Sequence, residues 1–436
     1  MRTGTLFALL LVLCGCNGGD EEDRNVVVSD TIQAERLPIT LLRFDKDGKV
    51  QNDEVLAPLL EDATTTDLFI MSHGWNTSIE SAANTYREMT DLMGDIADEE
   101  DVRPEGFNAK VIGIRWPSLA WEDGLTEESA VGISVTLPDN VDEVLENAAP
   151  GISDEELGRV TEFLGQTAAT DAEYLEILTT LEKYVDGPSE LDKADPVAST
   201  ELTPEGTVPN VSALFRNGPK NVGRVFTFWQ MKRRAGVVGE TGFRPILNRI
   251  QVALPNVRIH LLGHSFGSRL LLAACRNPDG NPSLTRPVDT IVLVQPAISH
   301  ASFSKAAPGA DANTPGGFRS AIVDGPACRG PIVATYTDRD VPLANLYPLA
   351  ARLGGQTGDT ESPVSKYSAM GGVGIFMNDV ESVDLREFAH GAPPRYAFTP
   401  GKIYQVSGAG LIRGHSDHIG NRHLAWLIWS AVVAQN

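Results

Sequence analysis

The feature that most constrains this 436-residue chain is a pentapeptide, Gly263-His264-Ser265-Phe266-Gly267, set between apolar runs at 257–262 and 270–274. The first run has the length and continuity of a strand buried on both faces. The second follows without a breaker and reads as a helix. A strand that passes directly into a helix is the opening half of a crossover, and repeated crossovers build a mostly parallel sheet covered by helices. In so tight a turn the glycines leave room for neighbouring backbone. Ser265 then stands at a helix N-terminus, where N–H groups and the helix dipole favour a developing negative charge.

The rest of the chain repeats this alternation. Strands are expected at 39–44, closed by the turn Asp45-Lys46-Asp47-Gly48, and at 68–72, 111–115, 257–262, 290–294, 332–337 and 402–406. A helix is expected at 77–97, and a last one containing Trp426 from near Asn421. Between Trp116 and Arg224 the rhythm breaks into an acidic stretch with one expected helix at 171–184 and loops rich in Pro, Gly, Ser and Thr. That length is improbable for a simple connection, so 119–222 is read as an inserted cap or lid, with a polar surface excursion as the alternative. Stretches 301–319 and 354–372 read as long loops.

Charge narrows the partners. Against 36 Lys and Arg stand 58 Asp and Glu, a net charge of −22, so no basic stripe exists for nucleic acid and anionic lipid is repelled. Membrane contact therefore needs an anchor. Arg2, the apolar run 6–13 and Cys14-Gly15-Cys16-Asn17 form a secretion signal whose apolar part is too short to span a bilayer. Its end resembles a bacterial lipobox, which implies that Cys16 carries a lipid and becomes the mature N-terminus. Cys14 is the alternative, but bulky Leu13 precedes it; a plain cleaved signal is the other. The parts are then a signal at 1–15, an acylated flexible tether at 16–36 and one domain at 37–436. Because Asn17 is not Asp, the expected location in a Gram-negative host is the outer membrane. Cys275 and Cys328 remain, either paired or as two buried free thiols.

Three further motifs accompany the pentapeptide: His73-Gly74-Trp75-Asn76 after the strand at 68–72, Arg115-Trp116-Pro117-Ser118, and the late Gly414-His415-Ser416-Asp417. Together the four resemble the α/β-hydrolase superfamily, in its lipase-like and esterase-like bacterial members, from about Ile39 onward apart from the insertion. The resemblance implies an α/β-hydrolase fold and a nucleophile, an acid and a histidine in that chain order. It also implies an oxyanion hole from the N–H groups of Phe266 and Trp75, with His73 and Gly74 shaping the loop.

Ser265 is the nucleophile on this reading. For the base, His415 lies between the strand at 402–406 and the final helix, where this fold places its histidine. His418, His423 and His390 are the other late candidates, and His264 is too near Ser265 to fold its ring onto the hydroxyl. For the acid, Asp340 and Asp338 both follow the strand at 332–337. Asp340 is preferred because Val341-Pro342-Leu343 can pack down behind it; Asp379 and Asp384 are less suitably placed. His415, Asp417, His418 and His423 crowd together, but they lack a zinc spacing, so no metal and no cofactor are expected. Phe228, Trp229 and Met231 form either part of an ordinary helix, with Ala235, Gly236 and Gly239 packing closely, or a wall of an acyl pocket. The expected activity is hydrolysis of a small-molecule or lipid ester through an acyl-enzyme. The rivals are a catalytically silent binding lipoprotein and an amidase or peptidase of the same fold.

Overall fold

The computed structural model describes residues 30–32, 37–75, 77–118, 142, 145–146, 149, 151–184, 220–276, 284–306, 315–325, 327–340, 342–343, 368–389, 391, 395–408 and 410–434. The signal, Cys16, Asn76, Val341, His390 and much of the insertion lie outside them.

The described strands are β1 (Thr31–Ile32), β2 (Ile39–Arg43), β3 (Asp67–Ser72), β4 (Ala109–Arg115), β5 (Arg258–His264), β6 (Thr290–Val294), β7 (Ile332–Tyr336), β8 (Glu381–Asp384) and β9 (Ile403–Ser407). They form one nine-stranded sheet in the order β1-β2-β4-β3-β5-β6-β7-β9-β8, parallel throughout except that β1 runs antiparallel to β2. The inner strands are apolar because both faces are covered: every residue of β3 and β6 is buried. Two edge strands were not expected from the sequence. Glu-Ser-Val-Asp of β8 is mostly exposed, and two-residue β1 lies at the end of the expected tether.

The helices of eight residues or more are α1 (Ile79–Glu99), α2 (Asp154–Gly165), α3 (Asp171–Glu182), α4 (Lys220–Val237), α5 (Arg244–Ala253), α6 (Phe266–Cys275) and α7 (Arg422–Val433). Helices α1 and α7 share a core with one face of the sheet, through residues such as Tyr86, Met93 and Trp429. The others share the second core. Helix α1 starts two residues later than expected because Ser78 stays extended and its side chain caps Ser81 N–H at 3.1 Å. Asn421 caps α7, its side chain accepting from His423 and Leu424 N–H.

Between α4 and α5 the chain makes a π-helical turn, Val238–Phe243. Glycine is needed in it: a Cβ on Gly239 would lie 2.2 Å from the Leu270 carbonyl oxygen, and one on Gly242 2.3 Å from that of Gly48. Within the insertion, α3 matches the expected helix while α2 was not foreseen. Leu157, Val160, Phe163, Tyr174 and Leu178 are buried in the same core as Trp116, Phe226 and Met231. The described part of the insertion is therefore packed onto the sheet's helical layer.

The chain leaves β3 toward β4 and leaves β5 toward β6, so successive connections diverge between β3 and β5. Such a divergence opens a crevice beyond the carboxyl ends of the strands. Ser72 of β3 stands level with Gly263 of β5, and His264 with Val294 of β6. The turns that follow these strands thus meet at one place.

Candidate active site

Ser265 occupies the cap of α6 with φ +53° and ψ −124°, a combination costing an L-residue on the order of 1–3 kcal/mol. The fold holds it there from several sides. Its N–H donates to the Val294 carbonyl at 3.1 Å, and its own carbonyl accepts from Ser268 at 3.0 Å and Ala297 at 3.2 Å. The flanking glycines permit the close approach: a Cβ on Gly267 would be 2.2 Å from Ser72 O, and one on Gly263 2.6 Å from Ser268 Cα.

His415 Nε2 lies 3.0 Å from Ser265 Oγ, and its Nδ1 lies 2.7 Å from Asp340 Oδ2. Asp340 has no exposed surface, and its other oxygen accepts the Leu343 N–H at 3.0 Å. Asp338, the alternative acid, is exposed, as are Asp379 and Asp384. The sequence argument for Asp340, that following residues anchor it, acquires a specific form here: Leu343 is buried and its backbone holds the carboxylate.

Among the described residues the two other late histidines, His423 and His418, have other neighbours. His423 Nδ1 accepts from Phe388 N–H at 2.7 Å. His418 is buried and stacked on His264 with ring centroids 3.7 Å apart, and burial, with His415 nearby, pushes its pKa down to about 4. His264 donates from Nε2 to the His415 carbonyl at 2.9 Å, which fixes its tautomer, because a carbonyl only accepts. Burial and the neighbouring imidazoles hold it well below the ordinary histidine range. Too near Ser265 to fold its ring onto the hydroxyl, His264 instead ties the Ser265 turn to the backbone of the loop that carries His415.

On the β3 side, His73 is buried and its Nδ1–H donates to Gly74 O at 2.9 Å. Burial lowers its pKa to about 4, so the ring is neutral at neutral pH. Trp116 stacks on it at 5.6 Å and donates from Nε1 to His73 O at 3.1 Å. Ser118 accepts from Thr77 N–H at 3.2 Å and donates to Thr77 O at 3.0 Å. The Arg-Trp-Pro-Ser motif thus braces the turn after β3. Tyr86, which sequence reasoning did not single out, accepts from His73 N–H at 2.8 Å and donates to Ile114 O at 2.6 Å.

Gly74 packs so tightly that a Cβ would lie 2.8 Å from Ser265 Cβ. Phe266 N–H is the first of α6, and neither it nor Trp75 N–H donates to another group among the described residues. The rings of Phe228, Trp75 and Phe266 form a cluster, Phe228 to Phe266 at 5.0 Å and Phe228 to Trp75 at 6.0 Å. Phe228 is thus a buried, packed residue of α4 whose ring lies beside Phe266.

A further residue missed from sequence is Gln295. It follows β6 with φ +46°, has no exposed surface, and donates from Nε2 to Asp340 Oδ2 at 2.6 Å and to Gly414 O at 3.1 Å. One amide thus links the acid to the histidine loop. Cys275 and Cys328 are free thiols, and burial raises both, Cys275 to about 12.

Comparison with protein-family models, with curated proteins and with solved structures finds no match. The chemistry therefore rests on geometry. A second hydroxyl–imidazole–carboxylate chain shows why placement matters: His260 lies 3.2 Å from Thr290 Oγ1 and 3.0 Å from Asp67 Oδ1. All three residues have no exposed surface, and Arg258 holds Asp67 with two contacts of 2.8 Å. That chain ties β3, β5 and β6 together within the core. The Ser265 chain instead sits at strand ends beside a helix N-terminus, with the His415 side chain 21% exposed.

Proposed function

We propose that this chain is a serine hydrolase of the α/β-hydrolase type that cleaves carboxylic esters through Ser265, His415 and Asp340. The observation that carries the reading is the unbroken path from Ser265 Oγ through the imidazole to a buried carboxylate, at 3.0 and 2.7 Å. Chain order and strand position support it: nucleophile after β5, acid after β7, histidine after β9, all at the carboxyl ends of a parallel sheet. The sheet order and the divergence between β3 and β5 support the finer fold assignment.

In the reaction His415 takes the Ser265 proton as Oγ attacks the ester carbonyl, and the N–H groups of Phe266 and Trp75 receive the oxyanion. His415 then protonates the departing alcohol. Water, deprotonated by the same imidazole, releases the acid. Asp340 keeps the imidazole in the tautomer that faces Ser265 with an unprotonated Nε2. We further propose that a lipid on Cys16 tethers the domain to the cell envelope.

A fluorophosphonate probe tests the hydrolase reading. Label is expected on the peptide containing Ser265 and absent from folded Ser265→Ala, with ester turnover lost in parallel. A folded wild-type protein that neither labels nor hydrolyses any ester across a series of chain lengths would overturn it. For the tether, mass spectrometry of the mature N-terminal peptide should find acylated Cys16, and an unmodified terminus beyond that residue would contradict it.

A further inference from the structure

The loop that carries His415, between β9 and α7, has neither helix nor strand among its described residues. Within 413–421 its main-chain bonds are turns of 3.3–3.4 Å: Asp417 N–H to Gly414 O, Ile419 N–H to Ser416 O and Asn421 N–H to His418 O. Side chains at three neighbouring strand ends supply further donors. Thr337, the first residue after β7, donates to Ile412 O at 3.3 Å, and Gln295, the first after β6, donates to Gly414 O at 3.1 Å. His264, the last of β5, donates to His415 O at 2.9 Å.

Of the three contacts, that of His264 falls on the base itself. No main-chain N–H donates to His415 O among the described residues. Rings from the loop also flank His264, His418 at 3.7 Å and His415 at 4.7 Å between centroids. Gly74 leaves the space for this ring, since a Cβ there would lie 3.0 Å from His264 Nδ1. Because His264 directly precedes Ser265, the contacts close a circuit. Ser265 Oγ meets His415 Nε2 at 3.0 Å, and His415 O meets the side chain one peptide away from Ser265. Neither the serine turn nor the histidine can shift without straining one of these two bonds.

Resting on the hydrolase reading, we propose that His264 is a positioning residue whose Nε2–H sets the His415 imidazole against Ser265 by holding the His415 carbonyl. The role is geometric: His264 keeps its proton and acts only through His415. It requires a donor at a fixed reach from the backbone. A glutamine amide extends about as far as Nε2, whereas an asparagine amide stops near Nδ1.

Three variants of the full chain separate donor, reach and packing: His264→Gln, His264→Asn and His264→Phe. Each is followed by kcat and KM for a soluble ester, by the rate of fluorophosphonate labelling and by thermal melting. The Gln variant is expected to stay near wild type. The Asn and Phe variants should lose roughly 10–100-fold in kcat and in labelling rate with KM unchanged, as misplacement of a reacting group does. Wild-type kcat in folded Asn or Phe variants would overturn the proposal. So would a Gln variant that falls as far as Asn, because the ring would then matter for packing alone. The Gln and Asn pair decides by itself where the Phe variant does not fold. Wild-type protein that neither labels nor turns over would instead overturn the hydrolase reading, and this role with it.

Discussion

Asp340 Oδ2 receives two donors, the His415 imidazole and the Gln295 amide, while Oδ1 receives Leu343 N–H. Removing the amide frees the carboxylate to rotate and leaves Gly414 O without that partner. Gln295→Leu should therefore lower kcat by up to about 100-fold with little change in KM, as misplacement of a reacting group does. Steady-state kinetics at equal folded concentration check this; an unchanged kcat would reduce Gln295 to a packing residue. The choice of acid is tested alongside. Asp340→Asn should lose on the order of 10⁴ in kcat, because the imidazole then adopts the wrong tautomer, and exposed Asp338→Asn should stay near wild type. Likewise His415→Ala should abolish turnover and His418→Ala should only reduce it, since His418 stacks on His264 and lies beside His415, which is the ring that meets Ser265. The reverse ranking in either pair would move the assignment. Of these residues Ser265 and His415 were singled out in the sequence by strand, turn and order, while the carboxylate beside the imidazole was narrowed only to Asp340 or Asp338. Gln295 was not: a lone polar residue after a strand has no local signature, and its role exists only once β6 and two distant loops are assembled.

Among the elements, the elbow and the end of β3 are held together by the absence of a side chain at Gly267. Gly267→Ala would put a methyl group 2.2 Å from Ser72 O and 2.5 Å from His73 O, forcing the turn after β3 away from Ser265. Gly239→Ala makes a similar 2.2 Å clash with Leu270 O, but about one turn further along α6. Both should destabilise by about 1–3 kcal/mol in denaturant unfolding. Only Gly267→Ala should also lose most activity in the fraction that stays folded; equal losses would mean that the elbow tolerates displacement. The same contrast explains what could be read beforehand. Strands such as β3 and β6 were clear because burial on both faces demands an unbroken apolar run. Polar β8 was missed because its side chains are mostly exposed and leave no apolar run, and α2 because its apolar positions are diluted by acidic residues. The braces around His73 were half legible. Arg-Trp-Pro-Ser stood out as a motif, yet its purpose depends on β4 lying beside β3, which no local pattern states.

Across the whole molecule, neutral buried histidines set a pH dependence. His73 and His418 titrate near 6.5 when unfolded, but burial lowers both to about 4 in the fold. Between those values the unfolded chain binds more protons, so stability falls as pH drops from about 6.5 to about 4. Thermal melts at pH 7, 5.5 and 4.5 should show that decline, and His418→Ala should make it shallower; an unaltered slope would mean that His418 is not held neutral. The triad has a different whole-chain property. Ser265 is 150 residues from His415 and Asp340 is 75 from it, with β6, β7 and β9 arriving between them. No early or partial collapse of the chain can bring these three groups together, since such distant pairings form late. If the proposed chemistry holds, reactivity at Ser265 would be a clock for completed folding: during refolding, covalent labelling should begin only after backbone structure has been regained, and a chain arrested before β9 docks would be compact, ordered and chemically silent.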